Sequence, residues 1–84
     1  MFVRFFGSSN CRDCLELFVI LNKANVDFEY IDAFDNNEEI QSFCDEHDVD
    51  EVPHIQILCN NKVVREYIGS LNIEEFEEDI NNYF

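Results

Sequence analysis

Residues 1–34 change hydrophobic period twice, and that ordering constrains the fold more than any other feature of the chain. "MFVRFF" is short, aromatic and β-branched, and it stops at the turn cluster Gly7-Ser8-Ser9-Asn10, as a buried strand followed by a loop does. From Leu15 to about Asn25 the apolar side chains recur at three- and four-residue spacings: Leu15, Phe18 and Val19, then Leu17, Ile20, Leu21 and Ala24. This predicts a helix that starts near Cys11 and is packed against a sheet around most of its girth. "VDFEYIDAF" then alternates, setting Val26, Phe28, Tyr30 and Ile31 against Asp27, Glu29 and Asp32, which predicts a second strand. A strand, a helix and a strand in this order close as a right-handed crossover and leave the two strands parallel.

The remainder adds an antiparallel half. "DNNEEIQSFCDEHD" opens with Asx residues three positions before glutamates, the pattern of a capping box, and puts Ile40, Phe43, Cys44 and His47 on one helical face. "PHIQILC" and "KVVREYI" are strand-like runs joined by Asn60-Asn61, a dipeptide that tolerates the positive φ of a tight hairpin. After Gly69, Asn72 and Glu75 again have capping-box spacing, and Ile73, Phe76 and Ile80, with Tyr83 or Phe84, form a helical stripe. The predicted architecture is α/β, in the order β-α-β-α-β-β-α, with a four-stranded mixed sheet flanked by three helices. No repeat, low-complexity tract or linker interrupts residues 1–84, so one domain is expected, and a chain of this length buries about 60–70% of its unfolded surface in a single core.

Charge excludes some partners. Nineteen acidic residues against five basic ones leave a net charge of −14, which repels phosphate backbones and anionic membrane surfaces. Nucleic acid and membrane are therefore not expected as partners. Hydrophobic residues make up 46% of the chain, including nine phenylalanines, too many for a disordered acidic tail. No run approaches the roughly 18–20 apolar residues of a membrane span, and the opening apolar patch, broken by Arg4, is not a signal-peptide core. The expected compartment is the cytoplasm, where a close cysteine pair points to redox catalysis or metal rather than to a permanent crosslink.

That pair is Cys11 and Cys14 in "SSNCRDCLELF". With Cys11 capping the first helix and Cys14 in its first turn, their backbones lie about 5–6 Å apart, within the range a disulfide tolerates. The positive end of the helix dipole favours a thiolate on the exposed Cys11, and Cys14, followed by Leu15, is expected to be shielded. Such asymmetry suits dithiol exchange, in which Cys11 attacks a disulfide and Cys14 resolves the mixed disulfide. Between them, Arg12 favours negative charge on Cys11 and Asp13 opposes it. Two other readings use the same residues. Cys11, Cys14, Cys44 and His47 have the spacing of a structural zinc site, although Cys44 and His47 lie on the apolar stripe of the second helix and need no metal to be explained there. Alternatively the domain is a non-catalytic interaction module with vestigial cysteines.

Taken together, the opening strand with "GSSNCRDC", "EYID" on the second strand, "VPHI" before the hairpin and "YIGS" before the last helix resemble the glutaredoxins of the thioredoxin-like superfamily, over essentially the whole chain. The resemblance implies thiol-disulfide oxidoreductase activity with Cys11 as nucleophile and Cys14 as resolving cysteine. It also implies a cis bond between Val52 and Pro53, with the Val52 backbone pairing with the bound substrate. Gly69 and Ser70 stand where the family's Gly-Gly pair contributes to substrate binding, and Arg12 and Asp13 are expected to face the substrate as well.

Several positions depart from the glutathione-using pattern. Ser8 replaces a lysine, Arg12-Asp13 replaces Pro-Tyr, Glu51 replaces a threonine, and Leu71 and Asn72 follow Gly69-Ser70. Glutathione is accordingly expected to be a weak reductant and no bound cofactor is expected. A reductase protein is the favoured electron donor. The favoured substrate is a protein disulfide, with ribonucleotide reductase a candidate, because the short chain is similar to small redoxins of phages and ribonucleotide-reductase systems. A monomer is expected. Cys59 is read as a strand-end packing residue, His54 as a polar strand residue open to solvent near the substrate groove, and Tyr30 and Tyr67 as core.

Overall fold

The structure, a computed structural model, describes residues 1–84. Strand β1 (Phe2–Gly7) leads into helix α1 (Arg12–Lys23), strand β2 (Phe28–Asp32), helix α2 (Glu38–Glu46), the hairpin β3 (His54–Cys59) and β4 (Lys62–Ile68), and helix α3 (Ile73–Tyr83). The sheet order is β2-β1-β3-β4. β1 runs parallel to β2, with Phe5 opposite Tyr30, and antiparallel to β3, with Phe6 opposite His54. The predicted order, the mixed sheet and the three helices are all present.

Alternation along β1 and β3 sorts side chains between two unequal faces. Val3, Phe5, Ile55 and Ile57 join Leu17, Ile20, Leu21, Phe76 and Ile80 in the larger core beneath α1 and α3. Phe6, Ile31 and Cys44 form a smaller one beneath α2, bordered by Ile40, Phe43 and Val49. The same α2 face carries the only two buried polar side chains, His54 and Gln56. They sit in a ladder across three strands. Arg4 Nη1 donates to Gln56 Oε1 (3.0 Å), Gln56 Nε2 donates to Glu66 Oε2 (2.9 Å), and His54 Nε2 donates to the same carboxylate oxygen (2.7 Å).

The helix ends rest on asparagine and aspartate in a chain that has only two glycines. After α1, Asn25 takes φ 57°, and the N–H groups of Asn25 and Val26 donate to the carbonyls of Asn22 and Leu21. After α2, Asp48 takes φ 55°, with Asp48 and Val49 bonded likewise to Asp45 and Cys44. Both are Schellman closures built without glycine, using the residue types that best tolerate the left-handed region.

Three local expectations are corrected. Leu15 and Val19, counted toward a helix packed nearly all round, are 60% and 52% exposed, because α1 meets the sheet on one face and α3 covers only part of the rest. β2 is shorter than the alternating run, since Val26 is drawn into the Schellman turn. At α2 the cap is Asn37, whose Oδ1 accepts from Glu39 N–H (2.8 Å) and Ile40 N–H (3.3 Å). Its third helical residue is Ile40, so no glutamate is placed to complete a capping box. The Asn60-Asn61 turn forms as predicted, with φ of 53° and 66°. A register shift at Ile57/Leu58 leaves both Val63 and Val64 exposed on β4.

Candidate active site

β1 ends at Gly7, and the chain turns through Ser8-Ser9-Asn10, where Asn10 N–H donates to Ser8 Oγ (3.3 Å) and Cys11 N–H to the Ser8 carbonyl (3.2 Å). Cys11 has extended backbone angles and caps α1 with its sulfur, which accepts the N–H of Cys14 at 3.3 Å. The sulfur thus takes the place of the side-chain oxygen that usually caps a helix. Both cysteines are unlinked, Cys11 half-buried and Cys14 fully buried. Burial first, then the hydrogen bond with Cys11, push the Cys14 thiol up to about 12, with the charges of Cys11 and Asp13 adding and the Ser8 amide opposing. The expected asymmetry of an accessible and a shielded thiol is therefore present.

Gly7 serves close approach as well as turning. A Cβ there would stand 2.8 Å from Tyr30 Cε2, 2.9 Å from Phe5 Cε1 and 3.0 Å from Cys14 Sγ. Only a residue without a side chain lets the buried sulfur settle on the strand.

The register brings the other expected residues to the same end of the sheet. Because Phe6 pairs with His54 and β3 is antiparallel to β1, Pro53 lies at the level of Gly7. The Val52–Pro53 bond is cis, Pro53 is buried, and its carbonyl accepts from Gly69 N–H (2.9 Å). Gly69 takes φ 74°, and a Cβ on it would meet the Glu51 carboxylate at 2.9 Å. Glu51, Val52, Pro53 and Gly69 thus form one contiguous wall, with Ser70 exposed beside it. Arg12 is exposed and Asp13 half-exposed on the first turn of α1. No hollow in the surface is lined by Cys11 or Cys14; the nearest to the Gly69 wall is lined by Arg65, Ile68, Ser70 and Leu71.

The zinc arrangement does not assemble. Cys44 is buried in the α2 core, its thiol pushed up by burial and then by Asp45. His47 caps the end of α2 against Phe43, with Nδ1 3.5 Å from Gln56 Nε2. No three His, Cys, Asp or Glu side chains converge anywhere in the chain. His54 also departs from expectation. It is 1% exposed and faces the α2 core, edge-on to Phe6, because it is Phe6's direct partner across β1 and β3 and opposed residues share a face of the sheet. Cys59 does end β3, half-buried. Sequence reasoning missed the packing duty of Gly7, the place of Tyr30 beside Cys14 and the contact of Glu51 with Gly69. The first had a signal in the sequence, a glycine directly after a strand.

Two helices on one face of a β2-β1-β3-β4 sheet, one on the other, and a cysteine-capped first helix level with a cis-proline define a thioredoxin-like fold. Solved structures bear this out. Thioredoxin 1 from Thermosipho africanus superposes with a TM-score of 0.78 at 23% identity, covering 99% of this chain and 93% of its own. Thioredoxin O2 from Arabidopsis thaliana gives 0.76 at 16% identity, over 96% and 72%. A glutaredoxin from Archaeoglobus fulgidus is nearer in sequence, at 28% identity over 90% and 82%, but lower in TM-score, at 0.57. No family model matches the sequence, and no curated protein matches it. The chain is thus similar in backbone to thioredoxins and to a glutaredoxin alike.

Proposed function

We propose that this chain is a thiol-disulfide oxidoreductase that reduces protein disulfides by dithiol exchange. The observation that carries the reading is the inequality of the two thiols on one helix turn: Cys11 accessible and hydrogen-bonded through its sulfur, Cys14 sealed behind it. In the first step the Cys11 thiolate attacks a substrate disulfide and one substrate thiol leaves. In the second, Cys14 loses its proton and attacks Cys11, so that the second substrate thiol leaves and the Cys11–Cys14 disulfide remains.

In this reading the Val52 backbone, next to Pro53 at the Gly7 end of the sheet, pairs with an extended substrate segment, and Arg12, Asp13, Gly69 and Ser70 are its further contacts. The shallow surface at Cys11 suits a polypeptide better than a small molecule. The Glu51 carboxylate against Gly69 opposes an anionic tripeptide, which supports a reductase protein over glutathione as electron donor. Ribonucleotide reductase remains a candidate substrate, and a cytoplasmic monomer is the proposed working form. The test is reduction of a polypeptide disulfide. Wild type should turn over with a thioredoxin reductase faster than with glutathione, and Cys11→Ser should be inactive. A wild type no faster than Cys11→Ser would mark the domain as an interaction module instead.

A further inference from the structure

Tyr30 stands beside the dithiol with its hydroxyl unclaimed. On β2 it lies opposite Phe5, on the sheet face that carries α1. Its ring meets Phe5 edge-on at 5.4 Å and Phe18 at 4.8 Å, and Phe18 is one helical turn beyond Cys14. Tyr30 Cε2, the carbon next to the one bearing the hydroxyl, and Cys14 Sγ both come within 3.0 Å of the point where a Gly7 Cβ would stand. The polar end of the ring and the buried sulfur therefore share the space above Gly7. Tyr67 donates its hydroxyl to Asp79, whereas no protein group pairs with that of Tyr30.

Cys14 lacks help. Burial, Cys11 and Asp13 all oppose negative charge on its sulfur, and the Ser8 amide alone favours it. We propose that the Tyr30 hydroxyl is a second donor, hydrogen-bonding the Cys14 sulfur as it becomes a thiolate in the step that releases substrate. This rests on the dithiol exchange proposed above. The Cys14 proton passes to solvent, the Cys14 sulfur forms the bond to Cys11, and the bond between Cys11 and the substrate sulfur breaks. The electron pair leaves on the substrate thiolate, which takes a proton from water. Tyr30 keeps its own proton throughout. Burial first, then Asp32 on its own strand, then Cys14 on α1 and Cys11 at its cap raise the pH at which it ionises, while Phe5 and Phe18 bring no charge.

The test is rapid mixing of the reduced protein with a neutral dipyridyl disulfide, which releases one coloured thiopyridone when Cys11 attacks and a second when Cys14 resolves. Tyr30→Phe keeps the ring and should leave the first release unchanged. The second should slow about tenfold near neutral pH, with its pH profile displaced upward by about one unit, as loss of one hydrogen bond to a developing charge implies. A second release unaltered in rate and profile overturns the role of Tyr30. A wild type that releases one equivalent or none overturns the dithiol reading itself. The unmodified protein offers a second check, by titrating tyrosinate absorbance in reduced and disulfide forms. One of its three tyrosines should ionise at lower pH once the thiols are joined, and superimposable curves would contradict the proposed contact.

Discussion

Cys14 donates its backbone N–H to the sulfur of Cys11 at 3.3 Å, so the proposed nucleophile is also the N-cap of its own helix. Chemistry and capping can be separated by substitution. Serine is a good N-cap, so Cys11→Ser should lose disulfide reduction while keeping its unfolding midpoint. Cys11→Ala should lose both, with stability reduced by about 1 kcal/mol. Denaturant melts of the two variants beside an activity assay check this.

Cys14→Ser should stop the reaction halfway. With no second thiol, Cys11 stays joined to its substrate, and the mixed disulfide should be seen by mass spectrometry of non-reduced protein. The same experiment with Cys11→Ser should trap nothing.

The raised Cys14 thiol predicts two pH effects of known sign. In Cys11→Ser protein, burial still holds the Cys14 thiol above its ordinary value, so alkylation should be slow at pH 8 and rise about tenfold per pH unit above it. The folded form holds the proton more tightly than the unfolded one, whose thiol ionises near 9. This contribution to stability is therefore complete below about 9 and lost as pH rises toward 12. Cys14→Ala should show a smaller loss of stability over that window.

Gly7→Ala should destabilise the fold by about 1–3 kcal/mol, because the new Cβ meets two aromatic rings and the Cys14 sulfur, none of which lies at a flexible chain end. Turnover should fall as well, since the atom that must yield includes the reacting sulfur. A neighbouring control, Ser9→Ala, at an exposed side chain, should do neither.

The Glu66 carboxylate is held below its usual range by hydrogen bonds from Gln56 first and His54 second. A lowered carboxylate stabilises the fold above its unfolded value, near 4.5, and that stability is lost as pH falls through the folded one. Glu66→Ala leaves His54 without its partner inside the protein and should cost about 1–3 kcal/mol at neutral pH. Glu66→Gln keeps an acceptor for His54, so it should be milder and should flatten the acid limb of a stability curve measured between pH 3 and 7.

The order of elements was legible because each carries its own local signal. The period of "MFVRFF", the three-and-four spacing after Cys14 and the Asn60-Asn61 turn depend on neighbours a few residues away, and all three appear in the structure. So does the shielding of Cys14, which follows from its place one turn into a helix. The burial of His54 was not legible. A polar residue after Pro53 has no local reason to be buried, and it is accommodated there because Glu66, on the paired strand β4, accepts a hydrogen bond from its ring. Leu15 and Val19 erred in the opposite sense, as apolar spacing cannot say how much of a helix its neighbours will cover.

By itself, then, the sequence determined the elements, their order and the pair of thiols on one helix turn, because these rest on chain-local geometry. The tertiary structure alone decided what surrounds the thiols. It set Pro53 level with Gly7 through the β1–β3 register, placed Tyr30 beside Cys14 through β1–β2 pairing, and kept Cys44 and His47 in a separate core beneath α2. Each of these depends on which strand lies next to which, a relation between distant segments that no local pattern of residues encodes.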